Sequence, residues 1–226
     1  MNKKLVLILA VAALASSIAS ADVVESFDSG AWGAGWSDKV NAGVVTTAAA
    51  HDGAYGVSLE GSTWTYNTAI SFNAGDTFSA WVRPKVNSYG RAYFGFTADA
   101  SGASSFITAT NTQNLIFQDN TGYGHQQLGS ASQAFQTDVW YRVSIERSLD
   151  GTSATGSLFA ADGTTLINSY TQGGFSRTAN GIALRGFGGF DVDTISVTAV
   201  PEPSSYALML AGLGLLGFIA RRRKNA

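Results

Sequence analysis

Asp191 and Asp193 are two acidic residues separated by one position, a spacing that puts both carboxylates on one face of a strand. Paired carboxyl groups about 5–5.5 Å apart suit retaining glycoside hydrolysis, and about 6.5–9.5 Å suits inversion. No further acidic residue joins the pair, and Glu146 stands between Ile145 and Arg147 without an acidic neighbour. His51 and His125 each stand alone in a turn-like segment, so no pair of imidazoles has metal spacing. Gly56-Val57-Ser58-Leu59 runs on into Glu60, so a Gly-x-Ser-x-Gly nucleophile elbow is missing. The chain has no cysteine, which excludes disulfides, thiol catalysis and thiolate metal sites. The expectation is a protein that is not an enzyme, with glycan cleavage by Asp191 and Asp193 the weakest of three readings.

Aromatic residues are the stronger chemical signal. Trp and Tyr combine a large apolar ring with a polar handle, a pairing suited to stacking on sugar rings. Trp32 and Trp36 lie in a glycine-rich segment, Trp64 and Tyr66 alternate, and Tyr89, Tyr93 and Tyr123 follow. Arg91 and Tyr93 share a face opposite Phe94 and Phe96, which makes them the best-motivated binding pair. Trp81, between Ala80 and Val82, and Trp140 are expected in the core. The candidate ligand-binding set is Trp32, Trp36, Arg91, Tyr93 and Tyr123.

The elements that would carry these side chains are strands. In Trp140-Tyr-Arg-Val-Ser-Ile-Glu-Arg-Ser148, Tyr141, Val143 and Ile145 point one way and Arg142, Ser144 and Glu146 the other. Asp150-Gly151 and Asp162-Gly163 are tight-turn signals that lead into Ala154–Ala160 and Thr164–Tyr170. Further strands are expected at Val23–Phe27, Val44–Ala48, Gly56–Leu59, Thr63–Ile70, Thr77–Pro84, Arg91–Thr97, Ser105–Thr110, Leu115–Gln118, Gly181–Arg185 and Val192–Val197. No amphipathic helical stripe occurs between the two chain ends. Short strands punctuated by turns predict an all-β, two-sheet antiparallel sandwich, a single domain over residues 22–199.

The order of local patterns resembles the concanavalin-A-like, or laminin-G-like, jelly roll. The pieces are Glu25-Ser-Phe-Asp28, His51-Asp-Gly-Ala-Tyr-Gly-Val-Ser-Leu59, Thr77-Phe-Ser-Ala-Trp-Val82, Trp140-Tyr-Arg-Val143, and Gly181 to Phe187 with Phe190 to Val197. This resemblance implies a fold and says little of activity. It also implies a possible structural calcium ion at the positions matching Asp28, Asp52 and Asp193, although Thr194 stands where such modules often carry a second Asp.

The chain ends are addresses. Met1-Asn-Lys-Lys4, apolar Leu5 to Ala15 and Ala19-Ser-Ala21 read as a signal peptide over residues 1–21, cut before Asp22. Val200-Pro201-Glu202-Pro203 precedes the uncharged stretch 204–220 and the basic tail 221–224, Arg221-Arg222-Arg223-Lys224. Seventeen uncharged residues sit at the short end of what spans a bilayer, and four basic residues stop transfer. Residues 200–226 resemble the PEP-CTERM sorting signal. That resemblance implies processing by an exosortase-type membrane protease, transient anchoring by the C-terminal helix, and release to the outer surface or extracellular matrix.

Over residues 22–203 only eight of the fourteen basic residues remain, against all sixteen acidic ones. Such a body is a poor partner for nucleic acid. The reading that results is an exported, non-catalytic surface or matrix protein with a structural or adhesive role in exopolysaccharide or biofilm. The alternative is a carbohydrate-binding module that recognises a polysaccharide.

Overall fold

Period-two patterning becomes strand along nearly the whole body. The computed structural model describes residues 21–199 other than 39, 86–89, 100–101, 110–113, 120–125 and 175–179, and also Leu210, 212–214, Leu216, Gly217 and Arg221. The early strands are β1 (Ala21–Glu25), β2 (Trp36–Asp38), β3 (Val44–Thr46), β4 (Gly56–Leu59), β5 (Ser62–Ser71), β6 (Thr77–Pro84) and β7 (Arg91–Asp99). The later ones are β8 (Gly102–Ala109), β9 (Asn114–Asp119), β10 (Gln126–Ser132), β11 (Tyr141–Arg147), β12 (Ser153–Phe159), β13 (Leu166–Gly173), β14 (Asn180–Phe187) and β15 (Phe190–Thr198). Among the described residues one 3-10 turn, Thr47–Ala49, interrupts them.

Two antiparallel sheets result. One has eight strands, in the order β13-β12-β11-β6-β15-β4-β3, with β1 paired to β15. The other has seven, in the order β10-β9-β8-β7-β14-β5-β2. Strand β15 pairs β4 along Phe190, Asp191 and Val192, then pairs β1 from Ile195 onward. Between the two lies a bulge, where Thr194 takes φ of 44° and the register against β6 shifts.

The core lies between the sheets. In β6 the buried positions are Phe78, Ala80, Val82 and Pro84, and in β12 they are Ala154, Gly156 and Leu158. Phe72, Phe78, Phe94 and Phe96 meet edge to face at 5.4–6.2 Å between ring centroids. Such pairs add about 0.5–1.5 kcal/mol beyond burial alone. Polar residues on the inner face of β5 are satisfied: Thr65 donates to Ser37 O at 3.0 Å, and Thr63 accepts from Gly186 N at 2.9 Å.

The all-β sandwich agrees with the pattern reading, with local differences. Strand β1 stops at Glu25, because that carboxylate accepts from Phe27 N at 3.0 Å while Phe27 takes φ of 60°. Strands β2 and β10 were not anticipated: one is three residues long, and the other, Gln-Gln-Leu-Gly-Ser-Ala-Ser, has no β-branched residue. Trp81 and Trp140 are a correction. Both are half-buried rather than core, because Trp81 has the parity of Thr77 and Ser79, not of Phe78 and Val82.

Candidate functional site: the outer faces of the two sheets

Register decides which side chains meet across a sheet. On the outer face of the seven-stranded sheet, Trp64 of β5, Arg185 of β14 and Tyr93 of β7 are direct neighbours in one row. The Arg185 guanidinium lies 4.9 Å from the Trp64 ring centroid and 5.3 Å from that of Tyr93. Cation–π contact of this kind contributes about 0.5–2 kcal/mol and fixes the direction of the N–H fork. Arg91 Nη1 donates to Tyr93 Oη at 3.5 Å, so the pair singled out by alternation does meet. Tyr66 packs beside this cluster, and Phe187, directly opposite Arg91, is 50% exposed. Trp64 and Tyr93 are buried, whereas Arg91, Arg185 and Tyr66 keep a half-exposed edge. The arrangement offers guanidinium donors beside aromatic surface, suited to a neutral polar ligand with an apolar face.

The other aromatic candidates go elsewhere. Trp32 and Trp36 pack against the core, their rings 4.8 Å apart, and Trp32 lies edge-on to Phe27 at 4.9 Å. Glu25 places them: its second carboxylate oxygen accepts from Gly33 N at 2.7 Å and pins the loop inward. Tyr123 lies outside the described residues, as do Tyr89 and His125.

Asp28, Asp52 and Asp193 do come together at one turn, but the atoms that two of them meet are N–H groups. Asp193 Oδ2 accepts from His51 N at 2.7 Å and Asp52 N at 2.9 Å, and its Oδ1 accepts from Thr194 N at 2.6 Å. Asp28 Oδ1 accepts from Ala54 N at 2.8 Å. Gly53, at φ of 65°, leaves room for Asp28 that a Cβ would fill. Burial raises the Asp193 carboxyl above its ordinary value, against the pull of those donors. Calcium needs converging oxygens with lone pairs free; here Asp193 and Asp28 Oδ1 already accept from backbone N–H groups, and Asp52 Oδ2 lies 3.0 Å from His51 Nδ1. Among the described residues no three His, Cys, Asp or Glu side chains group to hold a metal.

Asp191 is likewise committed. It is fully buried, and its Oδ2 accepts from Arg83 Nε at 3.0 Å and Nη2 at 2.6 Å. Lys85 Nζ stands 3.6 Å from its other oxygen and 3.1 Å from Glu60. Neither Asp191 nor Asp193 has any exposed surface.

The outer face of the eight-stranded sheet repeats the theme. Trp81, Arg142 and Phe159 are consecutive neighbours across β6, β11 and β12, and the Arg142 guanidinium is 4.1 Å from the Phe159 centroid. His51 stacks on Trp81 at 3.8 Å and meets Trp140 edge-on at 5.0 Å. Arg142 Nε donates to Gly163 O at 2.7 Å, and burial lowers the Arg142 pKa. Sequence reading missed this row, although the parity of Trp81 carried the signal.

At the C-terminal end, the described residues Leu210, 212–214, Leu216, Gly217 and Arg221 are helical, and among the described residues no helix is long and apolar enough to cross a membrane. Pro201, Glu202, Pro203, Arg222 and Arg223, with most of 204–220 and residues 1–20, lie outside the described residues.

Residues 199–224 match the PEP-CTERM protein-sorting motif, which marks an exported protein. No curated protein matches the chain significantly. Among solved structures, a Shewanella oneidensis protein of unknown function is similar at TM-score 0.56 and 17% identity, over 88% of this chain and 94% of that one. A carbohydrate-binding module from Bacillus subtilis is similar at TM-score 0.52 and 12% identity, over 73% and 96%. The CBM2 module of the evolved Dit of Lactobacillus casei BL23 phage J-1 is similar at TM-score 0.52 and 15% identity, over 80% and 98%. At these identities the likeness is one of fold. The chain thus carries a PEP-CTERM protein-sorting motif at residues 199–224, and its body is a two-sheet antiparallel β-sandwich of the fold these structures share.

Proposed function

We propose that this protein is an exported, non-catalytic carbohydrate-binding sandwich that holds polysaccharide at the cell surface or in the extracellular matrix. An exosortase-type protease removes the C-terminal signal, and the body then acts as an adhesive matrix component. The observation that carries the binding reading is the Trp64–Arg185–Tyr93 row with Arg91 at its end. Guanidinium groups held by rings donate to ring hydroxyls in a fixed direction, while Tyr66 and Phe187 offer apolar surface to the C–H face of a sugar. The non-catalytic reading is supported by the full burial of Asp191 and Asp193, each spent on a structural partner.

Affinity electrophoresis of the protein in gels of neutral polysaccharides tests this. Retardation by at least one polymer is expected, weakened about tenfold by Phe187→Ala with unchanged melting temperature, and by Arg185→Ala, which also gives up two cation–π contacts and lowers the melting temperature. Retardation that survives both substitutions at full strength would remove the assignment to this face.

A further inference from the structure

The outer face of the eight-stranded sheet also carries a cleft, at the edge that β3 forms. Register sets its floor: Val44 of β3, Ser58 of β4, Asp191 of β15 and Arg83 of β6 are direct neighbours in one row. A volume of about 600 Å³ stands over the β3 and β4 end of that row. Thr46 and the 3-10 turn residue Ala48 line one end of it, and Asn41, Gly43, Glu60 and Lys85 line the other. Small-molecule sites commonly measure about 300–1,000 Å³, so the size is right for a ligand.

The walls are pinned by their own hydrogen bonds. Asn41 Nδ2 donates to Ser62 O at 2.6 Å, and Asn41 Oδ1 accepts from Gly43 N at 3.0 Å. Arg83 Nη2 donates to Ala48 O and so ties the turn to β6. One buried atom is left over. Asp191 is 0% exposed and commits Oδ2 to Arg83, yet its Oδ1 forms no hydrogen bond among the described residues. Buried carboxylate oxygens are seldom left in that condition. This oxygen is turned towards Lys85, which lines the cleft and whose Nζ stands 3.6 Å away, beyond hydrogen-bond length. Lys85 Nζ is drawn instead to Glu60 Oε1 at 3.1 Å and to Ser58 Oγ at 3.5 Å.

We infer that this cleft is a binding site for a neutral sugar unit, held by a hydroxyl group that enters between Lys85 Nζ and Asp191 Oδ1. The site lies apart from the seven-stranded face and does not depend on the reading given to that face. A hydroxyl in this place accepts from the ammonium and donates to the carboxylate, a double role that an O–H group fills and a carbonyl or an ammonium does not. Lys85 keeps a third of its side chain exposed, so its tip can shift towards Glu60 to admit the group. The next hydroxyl along a sugar ring can turn to Ser58 or to Glu60. Val44, 66% exposed, and Ala48 offer apolar surface to the ring's C–H groups. Charge selects a neutral ligand: Arg83 and Lys85 balance Asp191 and Glu60, so an anion would meet two carboxylates and a cation would meet two bases. The same chemistry is offered by a free sugar and by a unit of a polysaccharide chain.

The test reads saturation transfer by NMR from the protein to free glucose, galactose or mannose, and retention of the protein on dextran, galactan and mannan. Transfer to at least one free sugar is expected. Lys85→Met removes the ammonium donor and should lower the affinity about tenfold. Val44→Arg places bulk at the exposed edge of the cleft and should abolish transfer with unchanged melting temperature. Phe187→Ala, on the seven-stranded face, should leave transfer intact. Retention on the matching polymer that also falls with Val44→Arg assigns the cleft to units of a chain, and retention indifferent to it assigns the cleft to the free sugar; both outcomes uphold the site. Transfer to none of the three sugars, or transfer unaltered by Lys85→Met and Val44→Arg, overturns the cleft while the seven-stranded face keeps its own test. Transfer lost only in Phe187→Ala overturns it as well and places sugar binding on the seven-stranded sheet.

Discussion

The two outer faces use the same three-part row, tryptophan, arginine and a second aromatic, yet treat it differently. On the seven-stranded sheet Trp64 and Tyr93 are 2% and 4% exposed, and Arg185 is held between them. On the eight-stranded sheet Trp81 is half-buried under His51, and the row gives way to two lines of hydroxyls. The difference teaches that cross-strand register, not residue type, sets what such a row can do. Closed over, it orients a guanidinium and stabilises the sheet; open, it borders a flat polar surface.

Substitution of the two tryptophans should measure that difference. Trp64→Ala is expected to cost about 3–5 kcal/mol of stability in a urea melt, the range for a large buried aromatic. Trp81→Ala should cost less, roughly 1–2 kcal/mol, since that ring is only partly buried and only part of its transfer term is lost. Equal losses would mean that the two rows are packed alike.

The turn over the eight-stranded face gives a smaller effect. Asp193→Ala removes the acceptor for His51 N and Asp52 N and should cost about 2–3 kcal/mol, the range for losing charge-assisted hydrogen bonds in a buried site. Chelator or added calcium should leave the melting temperature of the unmodified protein unchanged. A clear rise with calcium would reinstate a metal role for Asp28, Asp52 and Asp193.

The smallest effect is the acid limb of stability. Asp150 and Asp162 sit in the turns flanking β12 and are each held down to about 2. For Asp150 the leading cause is the Ser148 hydroxyl, and for Asp162 the Thr165 hydroxyl. A carboxyl depressed in the folded state contributes stability that is complete above its ordinary pKa and lost as pH falls through the folded value. Melting temperature should therefore decline between about pH 4 and pH 2, and Asp162→Asn should flatten that decline. Asp193 runs the other way: raised by burial, it favours the folded state while protonated and loses that contribution as pH climbs through its folded value. A limb unchanged by Asp162→Asn would assign acid sensitivity elsewhere.

Much of this was legible along the chain. Alternation in Thr77–Pro84 and in Tyr141–Arg147 names the inner residues correctly, because a strand's two faces follow from position parity alone. Asp150-Gly151 and Asp162-Gly163 mark their turns, since glycine takes φ of 70° at both places without penalty. Arg91 and Tyr93 share a face for the same local reason. Trp81 was misread where hydrophobicity was weighed above parity. Trp32 and Trp36 pack against the core because Glu25, eight residues before Gly33, turns their loop inward, which no local pattern signals.

What the linear chain determined by itself is therefore whatever depends on neighbours two to four residues apart: strands, turns, inner and outer faces, and the address at 199–224. What only the tertiary structure decided is which strands lie side by side and in what register. Arg185 stands between Trp64 and Tyr93, and Ser79 meets Ser196 across 117 positions of sequence, through pairings that no local pattern encodes. Register is chosen by burying the apolar face of every strand at once, a condition on the whole sandwich.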